Sequence, residues 1–214
     1  MATPLQEGLA RYLTSAQLAR LASVRVGIAG AGGLGSNCAM LLARSGVRAL
    51  TLADFDRVDA SNLNRQFYFS GDIGQSKVEA LGRNLRRIDA ELDLRLVDRR
   101  LEVEALSELY ADCPVVVEAL DRADYKAVFC NTMLGAGKFL VSASGLGGIG
   151  GLPGENGKPA MSARSLGRNF VCVGDFTTES DAASPPLAPR VVQAAAMQAD
   201  IVLDYILNRQ EMSE

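Results

Sequence analysis

Residues 24–66 read VRVGIAGAGGLGSNCAMLLARSGVRALTLADFDRVDASNLNRQ, and the order of patterns within this stretch decides the fold class. An apolar run of strand length, 24–29, leads directly into Gly30-Ala31-Gly32-Gly33-Leu34-Gly35, which fits G-x-G-x-x-G. Apolar residues at helical spacing follow over 36–45, and a second β-like run, 49–53, ends on Asp54. Strand, glycine turn, helix and strand ending on an acid is the order of a nucleotide-binding βαβ unit. The glycines have separate jobs: one permits the tight turn, one lets backbone approach phosphate, and one lets the helix pack close to the strand. The free N–H groups and positive end of the helix would face the phosphates, and Asp54 would sit at a ribose hydroxyl. A glycine turn without a ligand has the same pattern, and Asp54 also suits a strand-end turn.

Outward from this unit the alternation continues. Residues 5–21 carry leucines on one face of a helix or helix pair, a cap for the nucleotide unit or for a partner. Residues 55–74 are polar and irregular; a loop of that length inside a domain is functional or disordered, and Phe67, Tyr68 and Phe69 argue for order. Helices are expected at 75–88, 102–110 and 123–134, with strands at 92–97, 115–117 and 139–142. The fold class is therefore α/β: a Rossmann-like, mostly parallel sheet with helices on both faces. Ligands in such sheets bind beyond the carboxyl ends of the strands, where Asp54 and Asp121 both fall. Residues 145–157 are glycine-rich, 161–173 suit two short antiparallel strands, 177–189 read as an exposed connection, and 191–207 form a C-terminal helix with an apolar stripe. The organisation is a single domain over 1–214: a helical cap (1–22), a nucleotide-binding core (24–143) and a substrate-side extension with the last helix (144–214).

Bulk properties narrow the classes. With 214 residues and 48% hydrophobic content the chain can bury a substantial core, which excludes disorder. A net charge of −3 offers no general attraction for nucleic acid or an anionic membrane. No secretory signal or bilayer-spanning run is evident. Cys38, Cys113, Cys130 and Cys172 form no C-x-x-C pair, so zinc is not expected and a reducing cytoplasm is the simplest location. Cys172 reads as a strand cysteine rather than a nucleophile. The chain has no histidine, which removes Ser-His and Cys-His mechanisms and histidine-ligated metals.

Three further blocks are specific: residues 54–66 (DFDRVDASNLNRQ), the glycine turn with Ser36, and Gly74-Gln75-Ser76-Lys77-Val78-Glu79. Together they resemble the ubiquitin-activating-enzyme-like superfamily, and most of all the short ThiF-type adenylyltransferases, relatives of MoeB and HesA, that activate sulfur carriers. The resemblance runs over about residues 11–207. It implies ATP- and Mg2+-dependent adenylylation of the C-terminal glycine carboxylate of a small ubiquitin-like, ThiS-like carrier with a Gly-Gly tail. Pyrophosphate is released, and thiamine biosynthesis is the expected pathway. It also implies a homodimer, while the net charge and the absence of a spanning run leave nucleic acid and membrane outside the expected partners and the cysteines point to the cytoplasm. By the same resemblance Gly30, Gly32, Gly33 and Gly35 form the phosphate turn and Asp54 binds ribose. Asn62, Arg65 and Gln66 reach the triphosphate, Lys77 contacts phosphate, and Asp121 holds magnesium, with Arg65, Lys77 and Asp121 as the catalytic set. An attacking carboxylate is already ionised at neutral pH, so no general base is needed. Asn62 also suits an Asx turn, Arg65 and Lys77 solvated surface charges, Asp121 a helix cap, and 145–151 either a linker or a guide for the carrier tail.

Departures from the family pattern matter. Many relatives begin R-Y-x-R-Q, the second arginine reaching the partner's ATP site; here Thr14 stands in its place and Arg11 is the remaining candidate. Residues 177–187 lack the cysteine that in some members links covalently to the carrier, so adenylylation without a thioester or acyl disulfide is expected. Arg122 replaces an asparagine often found after the magnesium aspartate. Competing readings are an NAD-dependent oxidoreductase, which has no use for residues 62–66, a non-catalytic binding subunit of the same fold, and an enzyme adenylating a modified tRNA base.

Overall fold

The computed structural model describes residues 2–149 and 160–209. Among these residues, seven strands form one sheet in the order β3-β2-β1-β4-β5-β7-β6. The strands are β1 (Arg25–Ala29), β2 (Ala49–Ala53), β3 (Asp93–Val97), β4 (Val115–Glu118), β5 (Phe139–Ala143), β6 (Ser162–Gly167) and β7 (Phe170–Gly174). All neighbours pair in parallel except β6, which lies antiparallel to β7 at the edge. The helices are α1 (Pro4–Leu9), α2 (Ser15–Ser23), α3 (Gly33–Arg44), α4 (Lys77–Arg86), α5 (Val103–Leu109), α6 (Ala123–Gly135) and α7 (Ala188–Asp204). The expected mostly parallel α/β sheet with helices on both faces, two antiparallel strands and a last helix is therefore the fold of this chain.

The two-residue period of the central strands explains the layers. Val115 and Val117 enter one core with α3, α4 and α7, whereas Val116 enters a second core with Phe129 and Met133 of α6. Tyr110 closes the second core, its ring edge-on to Phe129 at 5.8 Å. β4 is buried at every position, as a strand covered on both faces must be, so it reads as a continuous apolar run up to Glu118. Leu21 of α2 is buried in the first core, and Arg20 Nη1 donates to Leu207 O at 2.8 Å. The second N-terminal helix thus packs on its own chain.

Two helix starts lie earlier than expected. α3 begins at Gly33, inside the glycine turn, because glycine tolerates the first helical turn as well as the loop before it. α7 begins at Ala188 rather than residue 191: Pro189 lies in the first turn, where its missing N–H is not needed. Of the glycine-rich stretch, residues 150–157 lie outside the described residues.

β1 lies between β2 and β4, so the chain, after reaching the edge at β3, returns past β1. Loops following β1 and β4 therefore diverge to opposite sides, opening a crevice beyond their carboxyl ends.

Candidate functional site

A cleft of about 1010 Å³ occupies this crevice. Gly30, Gly32, Gly33, Asp54, Asn62, Arg65, Gln66, Lys77 and Asp121 all line it. Gly35 does not. A Cβ there would fall 1.8 Å from Gly30 O, so its part is the close approach of α3 to the turn rather than ligand contact. Gly30 has φ +98°, the left-handed conformation that only glycine adopts freely. The first turn of α3 has no side-chain cap on Gly32, leaving N–H groups of the helix start open to the cleft.

Asp54 is tied to the glycine turn. Its Oδ2 accepts from Ala31 N at 2.6 Å and its Oδ1 from Asp56 N at 2.8 Å. An ionised carboxylate has about four acceptor positions, so two remain for hydroxyl donors.

Residues 55–76 form an ordered excursion closed at its base. Val58 N donates to Gln75 O, Gly74 N to Val58 O and Lys77 N to Asp56 O, at 2.8–2.9 Å. Tyr68 anchors it: its buried hydroxyl donates toward Ala31 O at 2.7 Å and lies 3.2 Å from Lys77 O. Burial, with Asp54, Asp72 and Asp56 nearby, pushes the Tyr68 phenol far above its ordinary range, so it stays a neutral donor. Asn37 Nδ2 on α3 donates to Arg65 O at 2.8 Å, and Phe67 N donates to Ser36 Oγ at 3.0 Å.

This anchoring sets four side chains at the cleft. Arg65 Nη1 donates to Ser61 O (3.1 Å) and Asn64 Oδ1 (2.7 Å), both uncharged oxygens, and pairs with no carboxylate among the described residues. Lys77, at the start of α4, is buried and lies 2.8 Å from Asp56 Oδ2. Gln66 is buried with its Oε1 unpartnered, the kind of orphan atom a ligand donor would satisfy. Asn62 Oδ1 accepts from Asp59 N at 3.1 Å, closing a capping box rather than an Asx turn; the Asx-type bond is that of Asp59, whose Oδ1 accepts from Ser61 N at 2.8 Å, and Asn62 lines the cleft.

Across the cleft, α6 has Arg122 as its N-cap, without a side-chain cap bond. Asp121 therefore does not cap it and makes no hydrogen bond or ion pair among the described residues. Arg122 is exposed and paired with Asp124 at 2.7 Å. No cluster of three potential metal ligands occurs among the described residues. Asp121 has the charge of Arg122 beside it, and magnesium, which takes one or two carboxylates and fills its shell with phosphate oxygens and water, would need only this one from the protein.

Other lining residues were not anticipated. Arg99 and Arg100 follow β3, Arg100 stacking over Phe55 at 4.7 Å; the strand-end rule applied to Asp54 and Asp121 would have found them. Lys126 and the segment 176–180 also line the cleft. Asp175, 1% exposed, binds Arg190 of α7 and holds this segment; Phe176 beside it has φ +62°. Thr14 is the N-cap of α2 in a reciprocal pair with Gln17, which gives that position a local structural role. All four cysteines are buried and free of disulfides; Cys172 lies in β7, and burial raises its thiol.

A Rossmann-like sheet that presents a glycine turn, a ribose-type acid and converging cations at its switch point defines a protein built to receive an anionic ligand. The chain belongs to the ThiF family, whose model matches residues 6–214. It is 35% identical over 122 residues to the tRNA threonylcarbamoyladenosine dehydratase of Haemophilus influenzae, covering 56% of this chain and 47% of that protein. It is 34% identical over 129 residues to the sulfur carrier protein ThiS adenylyltransferase of Escherichia coli, covering 60% of this chain and 51% of that protein. The matched region thus spans about half of each of these relatives. Among solved structures, the E. coli tRNA N6-threonylcarbamoyladenosine dehydratase in complex with AMP superposes with a TM-score of 0.85 at 20% identity, covering 96% of this chain and 95% of that one.

No helix among the described residues is long and apolar enough to cross a membrane.

Proposed function

We propose that this chain is an ATP-dependent adenylyltransferase that activates the C-terminal glycine carboxylate of a small ubiquitin-like sulfur carrier. The convergence of Asp54, Arg65, Lys77 and Asp121 on one cleft, in a chain of the ThiF family, carries this reading. The carrier is inferred from the E. coli ThiS adenylyltransferase, and thiamine biosynthesis is the pathway that relative suggests. The chain works as one adenylating unit over 1–214 and, by analogy with the family, as a homodimer.

In this mechanism the glycine turn and the open N–H groups of α3 cradle the phosphates, and the free acceptor positions of Asp54 receive the ribose hydroxyls. A carboxylate oxygen attacks the α-phosphorus; the bond from that phosphorus to the bridging oxygen breaks, pyrophosphate leaves, and a carboxyl–AMP anhydride remains. No proton moves. The obstacle is repulsion between two anions, which Arg65 and Lys77 offset by neutralising charge on the phosphates. Magnesium held by Asp121 would add further neutralisation there.

The test is carrier-dependent ATP–pyrophosphate exchange by the wild type and by Arg65→Ala. Loss of one positioned cation should lower the exchange rate at least about tenfold. An unchanged rate would remove Arg65 from the mechanism. NAD binding without exchange would favour the oxidoreductase, and nucleotide binding without either activity a binding subunit.

A second reading is favoured by the dehydratase relative and its structural counterpart. On it the carboxylate to be activated sits on tRNA threonylcarbamoyladenosine. Exchange stimulated by that tRNA and by no carrier would decide for it; rescue of a thiamine-requiring deletion strain would decide for the first.

A further inference from the structure

The mechanism above places cations on the phosphates but assigns none to the incoming carboxylate. Lys126 is a cation of the cleft that it leaves unused. It lies on α6, which follows β4, whereas the 55–77 excursion follows β2 on the other side of β1, and it lines the cleft with Ala143 and Ser144 at the end of β5. Its side chain is 26% exposed, and its Nζ is 2.9 Å from Oε2 of Glu118, which is wholly buried. Nζ also donates to Ala143 O. An ammonium has three N–H donors, so these two partners leave one over in a side chain that lines the cleft.

Glu118 is itself held from several sides. Its Oε1 accepts from Leu120 N at 2.7 Å, its Oε2 from Ser142 Oγ, and its backbone oxygen from Gln198 Nε2 at 3.0 Å. This carboxylate cannot move to solvent, so it fixes the ammonium at one point of the wall, five residues beyond Asp121.

We propose that Lys126 receives the attacking carboxylate of the carrier tail, with Glu118 as its positioning residue. The inference rests on the adenylylation reading. Arg65 and Lys77 approach from the excursion, Lys126 from the opposite wall, so each anion meets its own cation before the C–O–P bond forms. Lys126 binds and orients and gives up no proton, consistent with a reaction in which none is transferred. The competing account is that Lys126 serves only to neutralise Glu118.

The two accounts diverge in the double variant E118Q/K126M, which removes the buried charge and its partner together and avoids the unpaired carboxylate of K126M alone. The full chain is assayed by ATP–pyrophosphate exchange with each Gly-Gly-ended carrier of the source organism. ATP affinity is measured separately by equilibrium binding, and carrier binding is compared between the free carboxylate and the C-terminal amide. If Lys126 holds the carboxylate, the double variant raises the KM for carrier at least about tenfold, as loss of a charged hydrogen bond should. It keeps the ATP Kd within about twofold and loses the preference for carboxylate over amide, while K126R retains that preference. A double variant with wild-type carrier KM overturns the proposal, since neutralisation of Glu118 would then be the whole role. Parallel loss of ATP and carrier binding overturns it too. A wild type inactive with every carrier refutes the adenylylation reading and this one with it; an active wild type beside an unaffected double variant refutes this one alone.

Discussion

Asp175→Asn is the perturbation whose consequence follows most directly from the geometry. Asp175 Oδ1 accepts from Thr177 N (2.9 Å) and Thr178 N (2.8 Å), and its Oδ2 accepts from Thr178 Oγ1 and from Arg190. Burial alone would raise this carboxyl, but the donors of Thr178 and Thr177 and the Arg190 charge outweigh it and hold the group below the ordinary aspartate range. The amide variant leaves the Arg190 guanidinium, 5% exposed, without its counter-charge and turns an NH2 toward donors. Breaking a buried pair from one side costs about 3–5 kcal/mol. With a urea m-value of about 2.5 kcal/mol per M, the midpoint should fall by roughly 1.2–2 M. Equilibrium unfolding followed by far-UV circular dichroism measures this shift. Asp175→Asn/Arg190→Met, which removes both charges, should recover at least about half of the loss. A single-variant shift below about 0.4 M, the range of an exposed pair, would refute the argument. Because the segment held by Asp175 lines the cleft, the single variant should also weaken nucleotide binding under conditions where it remains folded.

Three further outcomes are expected. Gly35→Ala places a Cβ 1.8 Å from Gly30 O, so α3 and the glycine turn must separate; stability should fall by at least about 2 kcal/mol, and an unaltered melting temperature would show the turn to be compliant. Asp72, like Asp175, is held below its ordinary value: burial raises it, but Asn84, the Phe69 N–H and Arg83 prevail. Depressed carboxyls stabilise the fold above their unfolded pKa of about 3.9 and lose that contribution as pH falls through the folded values, so the melting temperature should drop below about pH 4, less steeply in Asp175→Asn/Arg190→Met. Burial pushes the Cys38 thiol to about 12 and those of Cys113 and Cys130 to about 11; Ellman's reagent should find fewer than about one reactive thiol per native chain and all 4 cysteines in guanidinium.

Much of the fold is legible in the chain because its signals are local. β2 occupies 49–53 as read, and β4 extends the run 115–117 by one residue, Glu118. The glycine turn and the acid ending β2 marked one side of the cleft, and the block at 62–66 with Lys77 marked the excursion that reaches it. What escaped notice had no local signature. Glu118 closes an apolar run and looks like a strand boundary; only Ser142 and Lys126, from two other elements, make it a buried anchor. Asp175 falls between the strands read at 161–173 and the connection read at 177–189, with no local mark of its role until Arg190 is brought against it.

Residue periodicity, turn chemistry and the types of side chain at strand ends are properties of neighbouring residues, so the sequence alone determined the βαβ unit, the layered α/β class and one half of the candidate site. Strand order, and with it the meeting of 54, 65, 77 and 121 around one cleft, was decided by tertiary structure. So were the partners that make buried charges tolerable, because a charge removed from water must find its counterpart across the fold, and that distance is not written in the spacing of the residues.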